Sequence, residues 1–249
     1  MFFLQTTYDI RKIKSSSFLA YTHLGLGDHI ICNGLLNYLS KNYDSIYLPV
    51  KSRDIKNLEY LYKKNKKIKI FEIQDTKEVE DIRKFAKEKK IKILKVGFKK
   101  RKAPFNLSFY NQLSLPYDIS IEYFHSPRDE EKEEKLFKHL KKYYKVEDEF
   151  QLVHNQSSFG KIELNLSNEL PVIYVNKETD IFKNLFLYRK VIEHSSEIHC
   201  LDSSFLHLVE RTKTNGSLFF HKIRKGEKGK QKSAKVHLIK NWKEINYIN

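Results

Sequence analysis

The sequence has few cysteines and no long apolar segment. Cys32 and Cys200 are its two cysteines; both fall in predicted core elements, where we expect reduced, buried thiols and neither a disulfide nor a metal site. A membrane-spanning helix needs about 18 consecutive apolar residues, and the sequence has no such run. The first residues lack the charged leader and apolar core of a secretory signal. A cytoplasmic protein is therefore predicted.

Arginine is scarce in a chain whose net charge is +16. Only eight of its 47 basic residues are arginine. A positive chain favours an anionic partner such as nucleic acid, a membrane surface or a phosphorylated substrate. Bidentate recognition of bases and phosphates uses arginine, so the shortage disfavours nucleic acid. A nucleic-acid-binding protein stays an alternative, with Lys99–Lys102 and Lys222–Lys235 as its contacts.

Apolar and aromatic residues are plentiful. Hydrophobic residues make up 40% of the 249 residues and include 17 Phe and 15 Tyr. That content supports a packed core and disfavours global disorder. The length fits one large domain or two small ones.

Strands and helices alternate through the first half. Predicted strands lie at residues 17–22, Ser45–Val50, Ile68–Ile73 and Ile91–Val96. Predicted helices lie at residues 29–41, from Arg53, and after the capping pair Asp75–Thr76. This order is typical of a parallel, Rossmann-like sheet. Residues 97–125 are predicted to be irregular, with Pro104 and Pro116 as breaks.

The second half repeats the alternation after a charged connecting helix. That helix is predicted to start at Ser126 and Pro127 and to end near Tyr144. Further helices are predicted at residues 180–196 and after Asp202. The predicted strands are Phe150–Gln156, Pro171–Asn176, Glu197–Leu201, Ser217–Ile223 and Lys235–Ile239. The predicted organisation is residues 1–125, a connecting helix at 126–149, and residues 150–249.

A glycine-containing turn follows the first predicted strand. It contains Gly25, Gly27, Asp28 and His29 and leads into an apolar helix. Glycines let backbone approach a ligand, and open α/β sheets bind ligands at the carboxyl ends of their strands. The turn is therefore a candidate site. The alternative is a purely structural turn in which Asp28 caps the helix.

A second polar turn follows the strand that ends at Leu201. Asp202, Ser203 and Ser204 precede a helix that contains His207. Hydroxyl groups and free backbone N–H groups at such a turn suit an anion, for example a diphosphate. The alternative is an ordinary helix start, capped by Ser203 or Asp202, with His207 in solvent.

The two turns together resemble glycosyltransferases of the GT-B fold. Gly27-Asp28 is similar to the early loop of the lipopolysaccharide heptosyltransferase group, and Asp202–His207 is similar to its late Asp-Ser/Thr-Gly/Ser-x-x-His turn. The second stretch is also similar to fucosyltransferases of the same fold. The implied fold is α/β, with two Rossmann-like domains facing each other across a cleft and the second domain reduced. The first domain would serve the acceptor and the second would bind the donor.

The resemblance implies a metal-independent, inverting transfer of a sugar from a nucleotide sugar to an acceptor hydroxyl. Asp28 would be the general base, and Ser203 and Ser204 would hold the donor diphosphate. Gly25, Gly27, His29, Asp202 and His207 would be further donor contacts. The aromatic loop at 97–125, with Tyr110 and Asn111, would line the acceptor pocket; covering the core is its alternative role.

The sequence also departs from the resemblance. The basic residue that binds the donor phosphate in the family is not clearly placed, and Lys161 is the candidate. Ser204 stands where glycine is common. The expected partners are a nucleotide sugar, a glycan or lipid-linked acceptor and anionic surfaces at the membrane periphery, with no cofactor and no metal ion. A non-catalytic nucleotide-sugar-binding module is a further alternative.

Overall fold

The computed structural model of the protein describes residues 6–99, 104–157, 160–166, 169–225, 231–232 and 235–247. The chain forms two compact units, residues 1–127 and 128–249. Each unit contains a five-stranded sheet whose neighbouring strands are all parallel. Parallel strands need long crossover connections, and most of these contain helices here. The predicted α/β class with parallel, Rossmann-like sheets is confirmed.

The sheet of the first unit has β2 at its centre. Its strands are β1 (Thr6–Thr7), β2 (Ser17–Tyr21), β3 (Ser45–Lys51), β4 (Ile68–Ile73) and β5 (Lys92–Lys95). Their order across the sheet is β1-β5-β2-β3-β4. Phe18, Leu19 and Ala20 of β2 have no exposed surface. A strand covered on both faces has a continuous apolar run, as β2 has after Ser17.

Helices cover this first sheet. They are α1 (Leu26–Leu39), α2 (Ile55–Tyr62), α3 (Glu78–Glu88), α4 (Phe105–Asn111) and α5 (Ile119–Glu122). A Cβ atom on Gly34 of α1 would lie 2.5 Å from the Ile119 carbonyl oxygen. Glycine at this position therefore allows α5 to approach the backbone of α1.

Two predictions for the first unit are wrong. Helix α1 begins at Leu26, three residues before the predicted start, because Gly25 caps it. Residues 97–125 were expected to be irregular, yet their described part contains α4 and α5. Pro104 is the N-cap residue of α4, where a missing N–H group costs no helical hydrogen bond.

The second sheet has β10 at its centre, in the order β14-β11-β10-β6-β9. Two short antiparallel pairs, β7–β8 and β12–β13, lie outside it. The strands are β6 (Gln151–His154), β7 (Gln156–Ser157), β8 (Gly160–Lys161), β9 (Val172–Tyr174), β10 (Glu197–Cys200), β11 (Ser217–His221), β12 (Arg224–Lys225), β13 (Gln231–Lys232) and β14 (Trp242–Ile245).

The helices of the second unit are α6 (Glu130–Tyr144), α7 (Arg189–His194) and α8 (Ser204–Glu210). Helix α6 begins after Asp129, whose side chain accepts a hydrogen bond from the Lys132 N–H group at 3.2 Å. The predicted start at Ser126 and Pro127 is wrong, because the Asp129 carboxylate satisfies a first-turn N–H group. None of the described helices is long and apolar enough to cross a membrane.

Two further predictions for this unit are wrong. The helix expected at residues 180–196 is a turn, a short 3₁₀ segment at Leu185–Tyr188 and α7. Asn184 caps the 3₁₀ segment, which places the helical start later than the apolar pattern indicated. The last strand is β14, whereas the predicted strand Lys235–Ile239 is irregular.

Glu210 attaches the last strand to the end of α8. Its buried carboxylate accepts hydrogen bonds from the Ile239 and Lys240 N–H groups and from the Trp242 indole at 2.6 Å. The Lys240 ammonium donates to the Val209 carbonyl at 2.8 Å and to the Thr212 carbonyl. A cation at a helix C-terminus meets the last unpaired carbonyl groups.

Candidate functional site

Asp28 is held by the backbone of the turn before it. The Gly25 N–H group donates to Asp28 Oδ2 at 3.0 Å, so the carboxylate closes the first turn of α1. A Cβ atom on Gly25 would lie 2.8 Å from that oxygen, so only glycine leaves room for this contact. The Asp28 side chain is half-buried, and so are Gly25 and Gly27. Asp28 therefore contributes to the cap of α1, and this contact leaves the residue partly accessible.

Leu24 gives the turn its unusual backbone. Its φ is 64°, in the left-handed region that L-residues avoid at a cost of about 1–2 kcal/mol. The Leu24 side chain is fully buried and packs in the core with Leu19 and Tyr21. Burial of the side chain thus offsets the cost of the backbone conformation that directs the chain into α1.

His23 lies at the same edge and was not predicted. Its Nε2 atom is 3.0 Å from the Gly97 carbonyl oxygen, and its ring stacks on Phe98 at 4.1 Å between centroids. Gly97 has a φ of 86°, and a Cβ there would lie 2.7 Å from the Phe109 ring. The sequence signal that could have identified His23 is its position directly after the predicted strand at residues 17–22. His23 is half-buried beside the turn that contains Asp28.

His29 lies in the core of the first unit. The side chain has no exposed surface, and neither ring nitrogen has a hydrogen-bond partner in the described part of the chain. Burial lowers the pKa of His29 to about 4. A ligand cannot reach a fully buried ring, so this position does not support the predicted donor contact.

Tyr110 and Asn111 differ in their surroundings. The Tyr110 ring is fully buried, and its hydroxyl donates to the Ile31 carbonyl of α1 at 2.7 Å. Asn111, the last residue of α4, is exposed. Tyr110 therefore packs in the core, as the alternative role for this loop indicated, and Asn111 alone is open to an acceptor.

Ser203 caps α8 and contacts a histidine. Its Oγ atom accepts from the Leu206 N–H group at 3.3 Å and lies 3.1 Å from His154 Nδ1. The His154 ring, at the end of β6, stacks on Phe205 at 5.3 Å between centroids. Burial lowers the pKa of His154 to about 4, so the ring is neutral at pH 7. His154 was not predicted, although it ends a strand beside the one that precedes Ser203.

The other residues of this second turn are unequally exposed. Asp202 and Ser204 are half-buried beside Ser203. His207 is buried. Burial is the main cause that lowers its pKa to about 3, and the positive charge of the nearby Arg211 lowers it further. The expectation that His207 lies in solvent is therefore wrong. Asp202, Ser203 and Ser204 remain accessible as candidate contacts for a ligand.

Lys161 lies at the same edge of the second sheet. It is exposed, and its Nζ atom lies 5.3 Å from the centroid of the Tyr174 ring, which ends β9. Strands β9, β6 and β10 are neighbours, and each ends at this edge. The second unit thus places one cation, one imidazole and two hydroxyl groups at the carboxyl ends of adjacent strands.

The proposed nucleic-acid contacts lie partly outside the described residues, at positions 100–102, 226–230 and 233–234. Ser158 in the polar loop after β6 also lies outside them. Lys99 lies 4.4 Å from the centroid of the Tyr8 ring, and Lys222 pairs with Glu244 at 2.9 Å. In the described part of the chain, no cluster of three His, Cys, Asp or Glu side chains could hold a metal ion.

The sequence matches no protein-family model and no curated protein. A solved structure, the crystal structure of the glycosyl transferase family 9 from Veillonella parvula DSM 2008, is similar to this chain with a TM-score of 0.50. The likeness covers 82% of this chain and 80% of that chain at 10% sequence identity. The two proteins share a fold. At this identity the likeness extends to the fold alone, and it agrees with the predicted α/β class.

Proposed function

We propose that the protein is a glycosyltransferase that moves a sugar from a nucleotide-sugar donor to an acceptor hydroxyl. The observation that carries the proposal is the accessible Asp28 carboxylate, fixed at the carboxyl edge of the first sheet in a fold shared with a glycosyl transferase family 9 protein. Heptosyl or hexosyl transfer to a glycan or lipid-linked acceptor, with inversion and without a metal ion, is the proposed form of the reaction.

Asp28 is the proposed general base. Its carboxylate takes the proton of the acceptor hydroxyl as that oxygen forms a bond to the anomeric carbon. The bond from this carbon to the diphosphate breaks at the same time, and the nucleoside diphosphate leaves with the electron pair. The hydrogen bond from the Gly25 N–H group fixes one carboxylate oxygen and so orients the other.

The second unit is proposed to hold the leaving diphosphate. Lys161 supplies a positive charge, and Ser203 and Ser204 supply hydroxyl groups at the carboxyl edge of its sheet. Asp202 is proposed to contact the donor sugar. Positioned hydrogen-bond donors and cations stabilise the charge that develops on a leaving group.

The variant Asp28→Asn tests the role of Asp28 as a base while keeping its role in the helix cap. The amide oxygen of asparagine can still accept from the Gly25 N–H group, but it cannot take a proton at neutral pH. We expect the variant to lose about 10²–10⁴-fold in turnover of a nucleotide sugar, as is typical for loss of a general base. Its affinity for the released nucleoside diphosphate, measured by calorimetry, should stay within about twofold.

Asp44→Asn is the matched control, since Asp44 is an exposed aspartate of the same unit. It should keep wild-type turnover. Undiminished turnover by Asp28→Asn would exclude Asp28 as the base. A wild-type protein that binds nucleoside diphosphates without turning over any nucleotide sugar would be a binding module. Binding to nucleic acid that weakens steeply with salt, without nucleotide binding, would favour the nucleic-acid alternative.

A further inference from the structure

Four titratable side chains form a continuous hydrogen-bonded row on one face of the second sheet. Glu197 Oε2 lies 3.3 Å from His199 Nε2, and His199 Nδ1 lies 3.0 Å from His221 Nε2. His221 Nδ1 lies 2.6 Å from the hydroxyl of Tyr247. That hydroxyl also accepts from the Asn165 N–H group at 2.8 Å. The row therefore runs from the start of β10 to the segment after β8.

The register of the sheet explains why these side chains meet. Glu197 and His199 alternate along β10 and so point to one face. His199 pairs with Phe219 of β11, and His221 lies two residues further along the same face. Both histidine side chains are fully buried. Lys243, which pairs with Phe219 from the other side, lies over the Phe219 ring at 5.1 Å.

The carboxylate fixes the direction of every hydrogen bond in the row. An ionised Glu197 can only accept, so His199 donates from Nε2 and accepts at Nδ1. His221 must then donate from Nε2 and accept at Nδ1 from the Tyr247 hydroxyl. Burial lowers the pKa of His199, and it lowers the pKa of His221 to about 4, so both rings carry one proton at pH 7. All four groups are satisfied in this one arrangement.

The far end of the row contacts the segment that contains Lys161. Lys161 belongs to β8, which pairs through two residues only. The Ile162 N–H group donates to the Asn155 carbonyl at 2.9 Å, and Ile162 packs against Leu201 and Ile223. Tyr247 adds the hydrogen bond from Asn165, beyond these contacts. The Tyr247 hydroxyl is therefore one of the contacts that hold residues 160–165 in place.

We propose that Glu197, His199, His221 and Tyr247 form an ordered hydrogen-bond chain that positions residues 160–165, and thus Lys161, at the carboxyl edge of the second sheet. Tyr247 is the positioning residue of this chain. Its effect on a ligand rests on the proposed function, in which Lys161 contacts the donor diphosphate. The proton arrangement and the hold on Asn165 do not rest on it.

The proton arrangement is tested without a ligand. Nitrogen-15 NMR of histidine side chains at pH 7 should show His199 and His221 as neutral rings with the proton on Nε2. Glu197→Gln replaces the fixed acceptor by an amide that can also donate, so His199 should become a mixture of tautomers. A proton on Nδ1 of either ring in the wild-type protein, or an unchanged single tautomer in Glu197→Gln, would overturn the ordered chain.

Tyr247→Phe tests the hold on the segment. The variant keeps the ring and removes the hydroxyl, so exchange of the Asn165 amide hydrogen should become about tenfold faster. Tyr143→Phe, at a tyrosine that is 60% exposed on α6, is the control and should leave that exchange unchanged. Unchanged exchange at Asn165 in Tyr247→Phe would overturn the proposal.

Calorimetry with ADP, GDP, CDP and UDP tests whether Tyr247 affects ligand binding through the position of Lys161. Whichever of these the wild-type protein binds should bind about three- to tenfold more weakly to Tyr247→Phe, and Lys161→Ala should weaken the same ligand. Equal binding by Tyr247→Phe would overturn the positioning of Lys161. If the wild-type protein binds none of them, the proposed function fails, while the NMR and exchange measurements still decide whether the chain exists.

Discussion

The first and second units both place a polar turn at the carboxyl edge of a parallel sheet, but they bury different side chains behind it. In the first unit, His29 is fully buried, and its ring nitrogens have no hydrogen-bond partner in the described part of the chain. In the second unit, His199, His207 and His221 are all buried. Two units with the same sheet architecture can thus differ in how their stability responds to protons.

The largest difference between the two units should be in their stability at acid pH. The pKa of His207 is lowered to about 3 and that of His221 to about 4, mainly by burial, and that of His29 to about 4. An unfolded histidine takes up a proton below about pH 6.5, so the unfolded state binds more protons than the folded state. Stability therefore falls as the pH is lowered from about 6.5 to about 4, and for His207 to about 3. At about 1.4 kcal/mol per pKa unit for each ring, the second unit should lose several kcal/mol and the first about 3 kcal/mol.

The chain contains one tryptophan, Trp242, which reports on the second unit. Its fluorescence should change at a higher pH than hydrogen exchange in α1 of the first unit. The exposed His194, replaced in His194→Gln, provides a control that should follow the wild type. If the first unit unfolds at a higher pH than the second, the prediction that the second unit is more sensitive to acid is wrong.

Glu210→Ala should have the next largest effect and should act on the second unit. The substitution removes the acceptor for two backbone N–H groups and the Trp242 indole, and it leaves Lys240 without its nearby carboxylate. Breaking a buried charged group's contacts costs about 3–5 kcal/mol of unfolding free energy. Urea denaturation followed by Trp242 fluorescence measures it.

The matched variant in the first unit is Glu78→Ala. Glu78 is a partly exposed carboxylate that pairs with Lys51 at 3.3 Å and accepts from the Tyr21 hydroxyl at 3.1 Å. Its loss should cost about 0–1 kcal/mol, as is usual for pairs near the surface. Equal costs for the two variants would show that burial does not distinguish them.

The two helix caps should have the smallest effects, and similar ones. Ser203→Ala and Asp28→Ala each remove a side-chain acceptor from the first turn of a helix, which costs about 1 kcal/mol. Urea denaturation of both variants checks this. Ser204→Ala is the control beside Ser203, since Ser204 is not the cap, and it should cost less. A cost above about 3 kcal/mol for either cap would indicate a role in the core.

Most strands of the two five-stranded sheets were predictable, because β-branched and apolar runs mark strands, but β1 and β14 were not. The predicted strand Ile68–Ile73 is β4, residue for residue. Helix starts were less predictable, because several polar residues compete to cap. Ser126 and Asp129 both precede acidic residues, and only the folded chain shows that the Asp129 carboxylate reaches the Lys132 N–H group.

Candidate residues could be predicted where polar residues follow the end of a strand, as at Asp28 and Ser203. They could not be predicted where burial decides whether a ligand can reach the side chain. The sequence left two roles open for Tyr110, in an acceptor pocket or in the core, and nothing in the local sequence indicated that the His29 side chain is buried. The contact between His199 and His221 depends on the register of β10 against β11, and the sequence of either strand alone does not determine it.

Leu24 has a consequence for the order in which parts of the first unit lose their structure. Its left-handed backbone persists only while its side chain stays packed against the core. The direction of the turn that leads to Asp28 therefore depends on tight packing several residues away. Mild heating, or a substitution that leaves a cavity elsewhere in this core, would loosen the packing around Leu24. The backbone of the turn could then relax, and the Asp28 carboxylate would change its orientation. The turn would then rearrange before the rest of the unit unfolds.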